Sequence, residues 1–264
     1  MSSIITLITD FGLIDPYVAE MKAVILGINP EAKIVDITHN IEKFNIRMAA
    51  YILSAAAPFF PQNTVHVAVV DPGVGTQRKP ILIETKHGFF IGPDNGILVL
   101  AAKKQGIKHV YEISNPRFMM KKVSQTFHGR DIFAPVAAYL SKGVPPSSFG
   151  QEIRKIVAPK FAKIIRRDDT LLGEVLHVDS FGNIITNITA KELKWLGVRG
   201  EIIVELKGAR LALRLCRAYA EVEPGKPLAI IGSHDFLEIS INQGNAAEAF
   251  KVKAGDRIIF YRSS

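Results

Sequence analysis

Only one cysteine, Cys216, occurs in 264 residues, which excludes an intrachain disulfide framework and any cysteine-built zinc cluster. It sits in Arg214-Leu215-Cys216-Arg217, inside a predicted strand, as a buried spectator thiol. No apolar stretch reaches membrane-spanning length, so no membrane partner is expected. The first residues, Met1-Ser2-Ser3-Ile4-Ile5, lack the basic region and cleavage site of a signal peptide. A cytoplasmic protein is therefore expected. Internal repeats and low-complexity segments are missing as well. The net charge of +8 would suit nucleic acid, but the basic residues are scattered. Lys121-Lys122 and Arg166-Arg167 are the densest clusters, and no arginine-rich arm appears, so no nucleic-acid partner is expected. No histidine spacing suits a metal ion either.

What is present reads as two domains. From Ile4 to about residue 142, short apolar strands alternate with amphipathic helical stretches, the pattern of an α/β layer with a largely parallel sheet. Strands are predicted at 4–9, 32–37, 65–70 and 110–113, with an antiparallel pair at 81–85 and 89–92. Helices are predicted at 15–26, 45–57 and 97–104. The first opens on Asp15-Pro16, a cap followed by proline. A last helix runs from Asp131 to about Leu140. After a Gly/Pro/Ser loop at 143–150, strands become short and turn-broken from Leu171 onward, as in a small all-β sandwich or barrel. The expected division is an α/β domain at 1–150, a linker at 151–168 and a β domain at 169–264.

The run Val65-His66-Val67-Ala68-Val69-Val70 ends in Asp71-Pro72-Gly73-Val74-Gly75-Thr76-Gln77-Arg78. A β-branched strand thus delivers a carboxylate, then a guanidinium, to the sheet rim where open α/β sheets bind ligands. The loop lacks the third glycine of a dinucleotide fingerprint and the Gly-Lys-Ser/Thr of a phosphate loop. Taken alone, the loop reads first as a turn capped by Asp71 with Arg78 solvated. Asp10, at the end of the first strand, should share that rim, either holding ribose hydroxyls or capping a turn. Gly92-Pro93-Asp94-Asn95-Gly96 is a turn that shapes the rim. His128 is the one histidine in a functional setting, on a loop just before a helix; the other six look ordinary. In the β domain, Asp179, Phe181 and Asn183 offer a carboxylate, an aromatic face and an amide, or simply a hairpin turn.

As an ordered set, these segments resemble the S-adenosyl-L-methionine hydrolase (adenosine-forming) family, also described as S-adenosyl-L-methionine hydroxide adenosyltransferases, related to fluorinating and chlorinating enzymes. The carriers are Ile8-Thr9-Asp10-Phe11-Gly12, Asp15-Pro16-Tyr17-Val18 and Met21-Lys22, then the Asp71–Arg78 loop and Gly92–Gly96. They continue through Phe127-His128-Gly129-Arg130-Asp131 to Pro135, Asp179 with Phe181-Gly182-Asn183, Gly232-Ser233, and Asn245-Ala246. The resemblance implies a Rossmann-like α/β domain plus a β-barrel domain. It also implies a homotrimer holding S-adenosyl-L-methionine between the α/β domain of one subunit and the β domain of the next.

By the same resemblance, Asp71, Arg78 and His128 form the water-handling triad and Asp10 binds ribose. Asp179 and Ser233 bind the methionine ammonium and carboxylate, while Asn183 and the Asn245–Ala247 backbone bind adenine beside Phe181. No cofactor is expected, because the sulfonium leaves C5′ as a neutral thioether and needs no general acid. The chemical problem is an in-line water. Arg78 is the expected polariser and His128 the base or relay, with Asp71 orienting both; the roles of Asp71 and His128 are exchangeable at this stage. A halide transferase and a non-catalytic S-adenosylmethionine or adenosine binder are the alternative readings.

Overall fold

Residues 4–262 are described by a computed structural model and divide into two units, Met1–Ala158 and Pro159–Ser264. In the first, β1 (Ile4–Thr9), β2 (Lys33–Thr38), β3 (Val65–Val69), β4 (Pro80–Thr85), β5 (Phe89–Pro93) and β6 (Ile107–Glu112) form one sheet in the order β2-β1-β3-β5-β4-β6. Neighbours from β2 to β5 are parallel, and β4 runs antiparallel to β5 and β6. The expected antiparallel pair is therefore β4 and β5.

Side chains alternate across the sheet as a period of two requires. Val65, Val67 and Val69 pack in a core with Met21 and Ile25 of α1 (Tyr17–Ile28) and with Ala134 and Val136, while Ala68 and Val70 pack in another with Ala49, Leu53 and Leu98. The latter residues come from α2 (Ile46–Ala56) and the turn before α3 (Val99–Gln105). Asn45 caps α2, its side chain accepting from Met48 N–H at 2.9 Å. Asp15 does not cap α1, contrary to expectation. That helix begins at Tyr17, with Pro16 in the cap position and no side-chain bond. Residues 10–16 are instead spent on a loop that shapes a cleft.

β1 pairs with β2 on one side and β3 on the other, with α1 and α2 in opposite cores. The strand order thus reverses between β1 and β3. That topological switch point is where a parallel sheet opens a crevice at its carboxyl ends.

The second unit contains β7 (Ile165–Arg167), β8 (Thr170–Val178), β9 (Ile184–Thr189), β10 (Glu201–Leu206), β11 (Ala209–Cys216), β12 (Pro227–Ile231), β13 (Phe236–Ile241) and β14 (Arg257–Tyr261). β14 pairs with both β10 and β8, which closes seven strands into a barrel and leaves β7 as an outer addition to β8. Leu171, Val175, Ile184, Val204, Ile239 and Phe260 belong to its core. Two short helices, α5 (Ala190–Leu196) and α6 (Ala246–Ala249), were not anticipated in the all-β reading. Cys216 is buried, which pushes its thiol pKa up.

Candidate active site

At the switch point Thr9 of β1 lies in register with Val69 of β3. The following residues bring Asp10 and Asp71 to one cleft of about 360 Å³. Beyond Val70 the chain turns sharply. Val74 N–H donates to the Asp71 carbonyl at 3.2 Å, and the Thr76 hydroxyl donates to the Gly73 carbonyl at 2.7 Å. Gly75 takes φ +76° against the Gln125 carbonyl, where a Cβ would collide. Only glycine fits that approach.

This turn folds Arg78 back onto Asp71. Its Nε lies 3.0 and 2.9 Å from the two carboxylate oxygens, and its Nη2 bonds Oδ2 as well. The pair is mostly withdrawn from solvent, with 9% and 5% of the Arg78 and Asp71 side chains exposed. Nη2 also donates to His128 Nδ1 at 2.8 Å. A guanidinium only donates, so Nδ1 is the acceptor and the neutral ring carries its proton on Nε2. Burial, then the positive charge of Arg78, lowers the pKa of His128 below its usual value. The Phe133 ring lies 5.4 Å from the guanidinium carbon. Arg78 Nη1 is buried without a hydrogen-bond partner among the described residues.

His128 stands at the start of a π-helical turn, Gly129–Phe133, that leads into α4 (Ala134–Ser141). Such turns occur often at functional sites. Asp131 does not open the helix as a cap. Its carboxylate accepts from Ser124 N–H at 2.8 Å and holds Arg130, fixing the loop that carries His128. Asn95, after the parallel β5, secures the end of β3 by donating to the Val70 carbonyl at 2.8 Å.

Asp10 is buried, and its Oδ2 accepts from Phe44 N–H at 2.9 Å. Lys43 Nζ donates to the Asp10 carbonyl at 2.5 Å. Phe44 takes φ +64°, a conformation uncommon for a bulky residue. Phe11, Tyr17 and Phe127 meet edge to face, with ring centroids 5.3–5.7 Å apart, and line the cleft together with Asp15 and Thr126. An aromatic wall with a few convergent polar groups suits a flat, partly apolar ligand. Lys43 and Phe44 were missed from sequence, since nothing in Glu42-Lys43-Phe44-Asn45 marks them.

The structure thus gathers Asp10, Asp71, Arg78 and His128 in the first unit. In the second, Asp179 Oδ1 accepts from the N–H groups of Phe181 and Asn183 at 2.9 Å each, and Oδ2 from Asn183 Nδ2 at 2.8 Å. That is a side-chain-stabilised turn. Phe181 stands 78% exposed on it. Asn245 caps α6 through Glu248 N–H, and Ala247 N–H donates to the Gly182 carbonyl at 2.9 Å, tying these residues to the same turn. Ser233 is exposed in the β12–β13 turn. Beside it, a Cβ on Gly232 would collide with the Glu238 carboxylate. Burial, with a further contribution from the charge of Asp179, raises the Glu238 pKa, against a 3.0 Å hydrogen bond from Tyr219. Glu238 and Tyr219 had no sequence signal. Among the described residues, no three His, Cys, Asp or Glu side chains converge as a metal site requires. No helix there is long and apolar enough to cross a membrane.

Family models for the N-terminal and C-terminal domains of SAM hydroxide adenosyltransferases match residues 5–150 and 173–259. Among curated relatives, (R)-S-adenosyl-L-methionine hydrolase of Methanocaldococcus jannaschii is 40% identical, over 97% of this chain and 94% of its own. The Thermus thermophilus protein of the same name is 37% identical over 94% and 95%. Fluorinase of Nocardia brasiliensis is more distant, at 27% over 96% and 94%. A solved structure of an uncharacterised conserved protein from Thermotoga maritima superposes with TM-score 0.88 at 41% identity, covering 98% of this chain and all of that one.

Proposed function

The chain belongs to the SAM hydroxide adenosyltransferase family, and from that premise we propose that it hydrolyses S-adenosyl-L-methionine to adenosine and L-methionine. One observation carries the reading: Arg78 joins Asp71 and His128 in a single hydrogen-bonded unit beside the cleft that also receives Asp10. Water forms the O–C5′ bond while the C5′–S bond breaks, its electron pair leaving on sulfur as the neutral thioether. One water proton must be lost. His128 has its only lone pair engaged by Arg78, so Asp71 is the better proton acceptor, and the His128 Nε2–H orients the water. The charge of Arg78 favours hydroxide character in the attacking oxygen.

Asp10 is proposed to hold the ribose hydroxyls. Asp179 and Ser233 are proposed to hold the methionine ammonium and carboxylate. Asn183, Phe181 and the Asn245–Ala247 segment are proposed to hold adenine. A homotrimer belongs to the same proposal, supported by Leu13, Ile14 and Phe44, which are exposed apolar side chains beside the cleft residues. Sedimentation equilibrium should give the mass of three chains, and a monomer would refute that part.

Incubation in ¹⁸O-labelled water should yield adenosine and methionine in equal amounts, with the label on the adenosine 5′-oxygen. Absence of turnover, or a 5′-halo-5′-deoxyadenosine product in chloride or fluoride, would overturn the assignment.

The pH profile should follow His128. Its depressed pKa keeps the ring neutral at pH 7 and above. Protonating Nδ1 would set N–H against the Arg78 Nη2–H and break the unit. The rate is therefore expected to be flat for this group through neutrality and to fall only as pH drops below about 6.5, its ordinary value. An acid limb centred above 7 would contradict the geometry.

A further inference from the structure

His39 is 4% exposed and lies one layer behind the cleft, outside the chemistry described above. Its Nδ1 is 2.9 Å from Thr9 Oγ1, and the same oxygen accepts from Phe11 N–H at 3.2 Å. Its Nε2 is 3.1 Å from Asp36 Oδ1, an ion-pair distance without full hydrogen-bond alignment. Asp36 Oδ2 takes Lys22 Nζ at 2.6 Å. The His39 carbonyl accepts from Gly12 N–H at 2.8 Å. His39 therefore bonds Thr9 through its ring and Gly12 through its carbonyl, and Phe11, on the other side of Asp10, is tied to the same Thr9 hydroxyl. The pairing of β1 with β2 slips between Leu7 and Ile8. Such an irregularity re-aims the side chains that follow.

The polarity of the chain is fixed by its ends. A carboxylate can only accept, so the Nε2 facing Asp36 carries the ring proton. Nδ1 then accepts from the Thr9 hydroxyl, whose oxygen is left to accept the Phe11 N–H. With the ring neutral, each group in this chain has one direction available.

The geometry points to His39 as a positioning residue that, through Thr9, sets the aim of the Asp10 carboxylate and so the site's preference for a ribose over a deoxyribose. This rests on the proposed ribose role of Asp10. His39 touches no substrate and acts through the backbone on both sides of that carboxylate.

The test is the ratio of the dissociation constants of 2′-deoxyadenosine and adenosine, measured calorimetrically on the full chain, with kcat and KM for S-adenosylmethionine alongside. Wild-type protein should prefer adenosine by about tenfold or more, the value of one hydrogen bond to a charged group. His39→Ala and the near-isosteric Thr9→Val should each reduce that preference at least fivefold, raising KM while kcat moves less than about threefold. His39→Asn, which keeps a group at the Nδ1 position, should restore most of it. Thr9→Val also guards against misfolding of the His39→Ala protein. If Asp10→Asn loses the preference while His39→Ala and Thr9→Val keep it, the positioning role is wrong. If Asp10→Asn keeps it too, the ribose reading fails, and this inference with it.

Discussion

Replacing Arg78 with alanine should lower kcat about 10³-fold while changing adenosine affinity less than about threefold. The magnitude follows from what the guanidinium does. One preorganised charged donor aimed at a developing anion contributes about 10²–10³ in rate, and general-base assistance about 10²–10⁴. Arg78 touches both partners of any such assistance. It engages Asp71 through Nε and Nη2, and it holds the His128 tautomer through Nη2. Lysine would not rescue the rate, because one ammonium cannot reproduce the planar fork that meets a carboxylate and an imidazole together. A loss of about 10²-fold is expected for Arg78→Lys.

Removing one partner of a buried ion pair also costs about 3–5 kcal/mol of stability, because the remaining charge is left unpaired. The alanine variant is therefore to be read beside the double variant Asp71→Asn/Arg78→Met, which buries no lone carboxylate. Thermal melting reports the fold, adenosine release reports the chemistry, and calorimetry reports binding. If Arg78→Ala is folded and within tenfold of wild type in kcat, the guanidinium is not handling water and the mechanism must be redrawn.

The parts of this site that the sequence announced are those set by local structure and by the alternation of strands and helices. A β-branched run broken by Asp71-Pro72-Gly73 had to end a strand, and parallel pairing had to put Asp10 on the same rim as Asp71. Arg78 meeting Asp71 needs only a short turn. Phe44 and Lys43 were illegible for the opposite reason. Phe44 reaches Asp10 across 34 positions through a backbone N–H at positive φ that no residue type advertises, and Lys43 reaches it across 33 through its side-chain Nζ. His39 looked like an ordinary strand-end histidine, because its burial exists only once β1 and β2 are paired. Barrel closure by β14 against β8 is likewise non-local. Helix α5 is a different case. Thr189-Ala190-Lys191-Glu192 carries a capping-box pattern and Gly197 closes the helix at φ +75°. Seven residues are too short for periodicity to overrule the surrounding strand pattern. At Asp179 the turn and the proposed ammonium contact draw on the same carboxylate, so the residue type fits both.

Asp10 gives the second large effect, and it should appear in binding rather than in rate. A carboxylate accepting from two vicinal hydroxyls makes two charge-assisted hydrogen bonds worth about 1.5–3 kcal/mol each. Asp10→Ala should therefore weaken adenosine binding by about 10²–10⁴-fold, with kcat at saturation falling less than about tenfold. Part of that loss comes from the loop. Oδ2 is the acceptor for Phe44 N–H, so alanine strands a backbone donor and lets residues 43–45 shift. Asp10→Asn separates the two contributions. Its amide oxygen can still take the Phe44 N–H, while the charge and one acceptor are gone, and an intermediate loss of about tenfold is expected. With 2′,3′-dideoxyadenosine the order should collapse, because there are no hydroxyls for Asp10 to hold. Wild type and Asp10→Asn should then bind alike, and Asp10→Ala should retain only the deficit due to the displaced loop. Equal affinity of wild type and Asp10→Asn for adenosine itself would remove the ribose from Asp10 and leave the carboxylate as a clamp for the Phe44 loop.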